Sequence, residues 1–210
     1  MAKGGVDWVR SLVGRQNEGP ISLIVASLGN PGPQYKLTRH NAGHIVLNSV
    51  RQKLQLGQAL TKPIQGGTLT RFDNCPGLIF TESCHYMNLS GRAIRGVYKW
   101  YDKHYSNMSR NRKLLVLHDE LDLPLGTVAY KQPSRATNGH NGLKHIVHQT
   151  DEPFARMRIG IGRPDTRHKA DVAKYVLAPF TPTELQAIQE DAANQVVDYL
   201  YKVIDHYELK

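Results

Sequence analysis

Residues 21–33 read ISLIVASL followed by GNPGP, and this stretch decides the fold. The run Ile21–Leu28 is short and mostly aliphatic, which is typical of a buried strand. The prolines and glycines of Gly29–Pro33 can continue neither a strand nor a helix, so the strand ends there. A helix is predicted to follow over Ala42–Leu54, because aliphatic residues recur there every three to four positions. The sequence therefore predicts a buried strand, a sharp turn and a helix.

Short apolar runs alternate with helical stretches along the rest of the chain. A second helix is predicted from Asn88 to about Tyr101, and asparagine suits the first position of a helix. A closing helix is predicted after Thr181, because the sequence Thr-Pro-Thr-Glu from that residue has the order of a capping box with proline at N1. The other predicted strands are Leu78–Thr81, Leu114–Leu117 and Met157–Ile161. This alternation indicates a sheet covered by helices, the α/β class.

The organisation of the chain fits one domain. A length of 210 residues suits one domain better than two, and no linker rich in Pro, Gly and Ser divides the sequence. We predict an N-terminal arm over residues 1–20, which lacks the apolar core of a secretory signal, and one α/β domain over residues 21–210. The segments Lys103–Lys113 and Gln132–Gly139 carry no apolar period, so we expect both to be mobile.

The charge of the chain is strongly basic and unevenly placed. Lys and Arg outnumber Asp and Glu by 27 to 18, for a net charge of +9. Residues 181–210 hold six acidic and two basic residues, so residues 1–180 carry 25 basic against 12 acidic residues, a net charge of +13. Such a field attracts a polyanion, and nucleic acid is favoured over a membrane because no basic amphipathic anchor is evident. A basic surface that is only solvated is the alternative.

The composition excludes several other classes of protein. A hydrophobic fraction of 40% and a charged fraction of 21% are ordinary for a globular protein, unlike a disordered chain, a collagen or a coiled coil. No apolar run approaches the ~20 residues of a membrane helix. Cys75 and Cys84 are too few for a disulfide framework, which indicates a reducing compartment.

Polar residues follow three of the predicted strands. Asn30 follows the first strand, Met87-Asn88 the second and His118-Asp119 the third, while His40 begins the helix after Asn30. Because ligands of open parallel sheets lie beyond the carboxyl ends of the strands, we hypothesise that these groups converge on one crevice.

These groups form a chemically sensible set. An imidazole such as His40 can take a proton near neutral pH, and Asp119 could fix its tautomer and stabilise the imidazolium. The amides of Asn30 and Asn88 could hold a carbonyl and the oxyanion that it becomes. Since no serine or cysteine nucleophile is evident, attack of an activated water on an ester is more economical than an acyl-enzyme. The alternative is that these residues are caps, turn residues and solvated acids.

Other chemistries fit the sequence less well. The segment Gly29–Lys36 lacks the Walker spacing of glycine, lysine and Ser/Thr, and the chain has no GxGxxG. His140, His145 and His148 lie close together in sequence, but no thiolate pair or HExxH accompanies them, so we expect no metal site.

Blocks of sequence around these polar residues carry a resemblance to a known family. The blocks are Leu28–Tyr35, Thr38–Gly43, Tyr86–Gly91, His118–Leu123 and Gly139–Lys144. In order and spacing they resemble the bacterial-type peptidyl-tRNA hydrolases, and Arg158–Pro164 and Val176-Leu177 extend the likeness to about residues 21–200.

The resemblance implies hydrolysis of the ester between a peptide and the terminal ribose of tRNA, with no metal or organic cofactor. By motif position, His40 becomes the base that activates water and Asp119 its orienting carboxylate, while Asn30 and Asn88 become polarising and peptide-holding amides. The implied substrate-binding residues are Tyr35, Met87, His140 and Asn141. The residues implied to hold a tRNA phosphate are Lys131 and Arg158.

The resemblance also implies a fold and a setting. The fold is a single-domain, three-layer α/β/α structure with a mixed, mostly parallel twisted sheet flanked by helices. The partner is peptidyl-tRNA, with no membrane, and we expect a monomer because no long unpaired apolar segment remains. The loop Pro133–Asn138 departs from the glycine-rich stretch of bacterial members and, with residues 1–20, looks more like eukaryotic members, which favours the cytosol or mitochondria.

Two other functions stay open at the level of sequence. One is an RNA-binding protein that has this fold without catalysis. The other is a hydrolase of small esters or peptides, whose activity would depend little on salt, whereas a tRNA substrate makes binding strongly salt-dependent.

Overall fold

The computed structural model describes residues 21–105, 112–207 and 209. Its strands are β1 (Ser22–Ser27), β2 (Ala59–Ile64), β3 (Gly67–Phe72), β4 (Cys75–Ser83), β5 (Arg112–Glu120), β6 (Val128–Ser134) and β7 (Phe154–Gly160). Its helices are α1 (Ala42–Lys53), α2 (Gly91–His104), α3 (Asn141–Thr150), α4 (Lys169–Leu177), α5 (Pro182–Ala187) and α6 (Ala193–Tyr207). The predicted arm over residues 1–20, and residues 106–111 of the predicted loop, lie outside the described residues.

The seven strands form one mixed sheet in the order β2-β3-β4-β1-β5-β7-β6. The central strands β4, β1, β5 and β7 are parallel, whereas β3 and β6 run antiparallel to their neighbours. The described sheet confirms the predicted α/β class. Because β1 lies between two parallel partners, its carboxyl end sits beside those of β4 and β5.

Helices cover both faces of the sheet, because alternate residues of each strand point to opposite faces. Leu23 and Val25 of β1 belong to the core that includes α1 and α6. Ile24 and Ala26 belong to the opposite core, which includes α2 and α3. Every residue of β1 is buried, as the run of apolar residues predicts. The result is the expected three-layer arrangement.

Several predicted boundaries need correction, and the strands predicted at Leu78–Thr81 and Met157–Ile161 begin three residues earlier, at Cys75 and Phe154. Asn88 does not begin a helix: it lies in a 3₁₀ turn, and α2 begins at Gly91 after Ser90. The strand predicted at Leu114–Leu117 continues to Glu120, so His118 and Asp119 lie on the strand itself. Residues 132–134 of the predicted loop belong to β6, and Ser134 is paired with Phe154 of β7. In the other predicted loop, Lys103 and His104 belong to α2, and Arg112 and Lys113 belong to β5.

The closing helix that was predicted after Thr181 begins as expected but is interrupted. Thr181 accepts a hydrogen bond from the Glu184 backbone N–H while the Glu184 carboxylate accepts from the Thr181 N–H, which confirms the predicted capping box. The helix is not uniform, since a π-helical segment, Ile188–Ala192, separates α5 from α6. Within the described ranges, none of the helices is long and apolar enough to span a membrane.

Candidate active site

The turn after β1 is held by a reciprocal pair of hydrogen bonds. The Asn30 backbone N–H donates to Oδ1 of Asn41 at 2.8 Å, and Nδ2 of Asn41 donates to the Asn30 carbonyl at 2.9 Å. Asn41 was not singled out from the sequence, and this positioning role was not predicted. The signal was its polar side chain at the start of a buried helix, eleven residues after Asn30.

A third hydrogen bond orients the side chain of Asn30. Its Oδ1 accepts the backbone N–H of Met87 at 2.8 Å, which joins the turn after β1 to the turn after β4. Because a backbone N–H must face an acceptor, this contact fixes which end of the amide is oxygen. The NH₂ group of Asn30 has no partner in the described part of the chain and is available to a ligand.

The first turn of α1 packs closely on the carboxyl ends of β1 and β5. A Cβ atom at Gly43 would lie 2.5 Å from the Leu117 carbonyl oxygen and 2.8 Å from that of Leu28, so only glycine fits there. This close approach brings His40, three residues earlier, to the end of β5.

His40 is hydrogen-bonded to the carboxylate of Asp119. Its Nδ1 lies 2.9 Å from Oδ1 and 3.0 Å from Oδ2 of Asp119. Burial lowers the pKa of His40, but the charge and hydrogen bond of Asp119 outweigh it, so the pKa lies above its usual 6.5. An ionised carboxylate only accepts, so Nδ1 carries the proton and Nε2 keeps a lone pair. Nε2 has no partner among the described residues.

Asp119 also accepts a hydrogen bond from His140. Nε2 of His140 lies 3.0 Å from Oδ1 of Asp119, while its Nδ1 accepts the Leu143 backbone N–H at 3.4 Å as the cap of α3. Burial raises the pKa of Asp119, but His40 and His140 outweigh it and hold that pKa well below its usual value. Asp119 therefore remains ionised although it is only 5% exposed.

The neighbouring His118 is a neutral, buried residue. Its Nδ1 donates to the Asp119 carbonyl oxygen at 2.7 Å. Burial, followed by the nearby His140, lowers the pKa of His118 to about 3. Unlike His118, His40 is therefore suited to gain and lose a proton near neutral pH.

His40, Asp119 and His140 line a cavity of about 560 Å³, here called the catalytic cavity. Leu121, Leu143 and Val176 contribute apolar surface to it. Basic side chains line it as well: Lys144, Arg163, Arg167 and Lys169. Lys169 was not foreseen from the sequence, because α4, the helix that begins there, was not predicted.

Of the other predicted substrate-binding residues, Asn141 lines this cavity, whereas Tyr35 and Met87 are not among its lining residues. Asn141 is the exposed first residue of α3 and lines the cavity with His40. Met87 is buried next to the Asn30 amide, and Asn88 follows it as an exposed residue. Tyr35 is half-buried and contacts Tyr86 edge to face, with ring centroids 6.2 Å apart. The structure thus brings the turns after β1 and β4 together beside the His40–Asp119 pair.

Lys131 and Arg158 lie on neighbouring strands at one end of the sheet. Lys131 of β6 is paired with Arg156 of β7, so Arg158, two residues further along, shares its face. Lys131 is exposed. Arg158 is half-buried and lies 3.7 Å from the carboxylate of Glu120, an ion pair that sequence reasoning did not foresee.

A metal ion would have one suitable set of ligands within the described residues. Nδ1 of His40, a carboxylate oxygen of Asp119 and Nε2 of His140 lie within 4.8 Å of one another, and imidazole and carboxylate are ligands of zinc. Binding would replace both histidine hydrogen bonds to Asp119. Of the histidines considered from sequence, His140 belongs to this set, whereas Nδ1 of His145 accepts the Gly91 backbone N–H at 3.0 Å.

Comparison with known proteins gives consistent matches. A family model described as "Peptidyl-tRNA hydrolase" matches residues 23–209. A protein named peptidyl-tRNA hydrolase from Rickettsia bellii is 35% identical over 184 residues, which cover 88% of this chain and 94% of that protein. A protein of the same name from Solidesulfovibrio magneticus is 41% identical over 183 residues, which cover 81% of this chain and 82% of that protein.

Solved structures give the same match. The crystal structure of a peptidyl-tRNA hydrolase in complex with N-propanol is 31% identical, covers 90% of both chains and has a TM-score of 0.69. That of peptidyl-tRNA hydrolase from Acinetobacter baumannii is 30% identical, covers 87% of this chain and 94% of that chain, and has a TM-score of 0.62.

Proposed function

This chain belongs to the peptidyl-tRNA hydrolase family and is an enzyme that hydrolyses peptidyl-tRNA, and we propose that it does so with a water molecule activated by His40. The observation that carries the proposal is the His40–Asp119 hydrogen bond, because it leaves the lone pair on Nε2 of His40 at the catalytic cavity.

His40 acts as the general base. Nε2 takes a proton from water as the water oxygen attacks the carbonyl carbon of the peptidyl ester. Asp119 stabilises the imidazolium that forms and holds its orientation. Asp119 is positioned in turn by His140, so His140 acts through the carboxylate and is a positioning residue.

Amide groups stabilise the tetrahedral intermediate. The carbonyl oxygen becomes an oxyanion when water adds, and preorganised donors stabilise that charge most effectively. The NH₂ group of Asn30 is such a donor, because Met87 and Asn41 fix the amide and its backbone. Asn88 and Asn141 are the further amides that hold the peptide and the carbonyl, with Met87 and Tyr35 beside them.

The intermediate then breaks its bond to the ribose oxygen. The protonated His40 returns its proton to that oxygen, so one water and one ester yield a peptide carboxylic acid and the free hydroxyl of tRNA. The acid ionises in neutral solution, and His40 is again a base. No cofactor enters this balance, and we propose that the enzyme uses none.

Basic side chains bind the tRNA part of the substrate. Lys131 and Arg158 hold a phosphate group at the β6–β7 end of the sheet. Lys144, Arg167 and Lys169 line the catalytic cavity. They make no ion pair in the described part of the chain, so they are free to neutralise the phosphates nearest the ester. We further propose that residues 21–210 act as one monomeric domain after an arm over residues 1–20, in the cytosol or mitochondria.

A binding protein without catalysis is not favoured. Such a protein would need the basic surface, but it has no chemical need for the polar set of His40, Asp119, Asn30 and Asn88. A hydrolase of small esters is not favoured either, because basic side chains line the catalytic cavity and +13 lies on residues 1–180.

Cleavage of N-acetyl-aminoacyl-tRNA tests the proposed function. The purified protein is expected to release the blocked amino acid and to act much more slowly on the unblocked aminoacyl-tRNA. Cleavage that depends little on salt, or equal cleavage of small esters, would contradict a tRNA substrate.

A further inference from the structure

A second cavity of about 610 Å³ lies on the other side of α3 from the catalytic cavity. Lys144 of α3 lines the catalytic cavity, whereas the next residue, His145, lines the second one. The second cavity also extends along α2, and we call it the α2–α3 cavity. Its charged and polar lining residues include His85, Arg92, Arg95, Lys99, His145 and Gln149.

The α2–α3 cavity carries positive charge without acidic partners. Nη1 of Arg95 donates to Oε1 of Gln149 at 3.2 Å, and Nζ of Lys99 donates to Oε1 of Gln65 at 3.4 Å, so both partners are uncharged amides. Arg92 makes no ion pair within residues 21–105 and 112–207. Among the described residues no carboxylate lines the cavity, so three positive charges face it uncompensated.

The pKa of His145, which lines the α2–α3 cavity, is affected by this charge. His145 accepts the backbone N–H of Gly91, and burial lowers its pKa, with further lowering from His148, Arg92 and His85. The further lowering of this pKa by basic neighbours, beyond the larger effect of burial, is consistent with the positive charge of the cavity. A negatively charged group bound there would relieve it.

The α2–α3 cavity lies towards the opposite end of the sheet from Lys131 and Arg158. His85 precedes Met87 by two residues, and His145 lies one turn along α3 from Asn141, a rise of about 6 Å. The strand order places Lys131 and Arg158 at the β6–β7 end of the sheet, whereas the α2–α3 cavity adjoins the turns beside β3 and β4 at the other end. His40 lies between, beside the ends of β1 and β5.

The tRNA and peptide parts of the substrate must extend from the ester in different directions. If its tRNA lies over β6 and β7 and its ester at His40, its peptide continues towards the turn after β4. An extended peptide advances about 3.3–3.6 Å per residue, so the rise of about 6 Å from Asn141 to His145 corresponds to about two residues of peptide.

We propose that the α2–α3 cavity binds acidic side chains of the peptide part of peptidyl-tRNA, with Arg95 and Lys99 as specificity-determining residues. This inference rests on the proposed function. It predicts that the enzyme prefers peptides that carry Asp or Glu a few residues from the ester to otherwise identical peptides that carry Asn or Gln.

The test compares two substrates in which an N-acetylated tetrapeptide is esterified to the same tRNA. One peptide carries Glu, and the other carries Gln, at the positions before the esterified residue. The ratio of kcat/KM for the Glu and Gln substrates is expected to be about three- to tenfold in the wild type, since partly exposed charge pairs contribute modestly. In Arg95→Gln/Lys99→Gln this ratio should fall towards one. The control, Lys53→Gln/Lys202→Gln, removes two charges from α1 and α6 on the opposite layer and should keep the wild-type ratio.

Three results would overturn the inference. They are a wild-type ratio of one, an equal loss of ratio in the control, or an equal loss of kcat/KM on both substrates in Arg95→Gln/Lys99→Gln with a flatter salt dependence. The last result would mean that the cavity contacts tRNA. Binding of both substrates to His40→Ala protein reports the same preference without turnover, so a failure of the proposed chemistry remains distinguishable from a failure of the subsite.

Discussion

Replacing Asp119 by asparagine should stop His40 from acting as the general base, while a side chain of the same size remains at position 119. In the wild type, one carboxylate accepts hydrogen bonds from Nδ1 of His40 and Nε2 of His140. Nδ1 of His40 also lies 3.0 Å from Oδ2 of Asp119, so an asparagine, which has one oxygen and one NH₂ group, cannot present an acceptor to His40 at both positions. If its NH₂ group faces His40, Nδ1 becomes the acceptor and Nε2 carries the proton, which leaves no lone pair for water.

The expected loss in kcat/KM for Asp119→Asn is about 10²–10⁴-fold, or about 3–5 kcal/mol of barrier. The pH profile should change as well. His40 must be deprotonated to act, and Asp119 raises its pKa above 6.5, so wild-type activity should fall as the pH drops through a value above 6.5. In Asp119→Asn only burial remains, which lowers the pKa of His40, so the residual activity should fall at a lower pH.

The assay is release of N-acetylated amino acid from tRNA between about pH 5 and pH 9, the range in which a histidine titrates. Asp198→Asn, an exposed change of the same charge on α6, is the control and should match the wild type. Circular dichroism establishes that each variant is folded. A folded Asp119→Asn with wild-type turnover, or with an unshifted pH profile, would refute the role given to Asp119.

Three further predictions concern binding, stability and metals. Lys131→Ala and Arg158→Ala should each weaken tRNA binding and flatten the slope of log affinity against log salt by about 0.7–0.9 per lost phosphate contact; a loss of kcat alone would contradict the phosphate role. Asn41→Ala should lower the free energy of unfolding in urea by about 1–3 kcal/mol, because the Asn30 backbone loses both partners; stability equal to that of Asn48→Ala, an exposed control, would speak against this role. A chelator should leave turnover unchanged, whereas a zinc-dependent rate would mean that the His40, Asp119 and His140 set is a working metal site.

The central part of the fold was predictable because its signals are local. The all-apolar run of β1 and the glycines and prolines after it indicate a buried strand that ends abruptly, and the described strand agrees within one residue at each end. The capping box at Thr181 is similarly local. The outer strands were not predicted. β2 is exposed over Ala59–Pro63 and contains Pro63, so it shows neither a continuous apolar run nor alternation, and pairing with β3 is what orders it.

The candidate site was predictable in its residues but not in its connections. The positions of His40, Asp119 and Asn30 after strands indicated one crevice, because parallel strands end at the same edge. The second hydrogen bond of Asp119, from His140, depends on a helix 21 residues away in sequence. The ion pair between Arg158 and Glu120 likewise depends on the pairing of β5 with β7. Such contacts arise from tertiary packing, and no pattern of residue spacing in the sequence indicates them.

The most direct test of the role of His40 is single-turnover hydrolysis of N-acetyl-aminoacyl-tRNA by wild type, His40→Ala and His148→Ala, with tRNA binding measured in parallel. His148 is an exposed histidine on α3 and serves as the matched control. We expect His40→Ala to bind tRNA normally and to lose about 10²–10⁴-fold in rate, whereas His148→Ala should keep the wild-type rate. A folded His40→Ala protein with wild-type turnover would contradict the account.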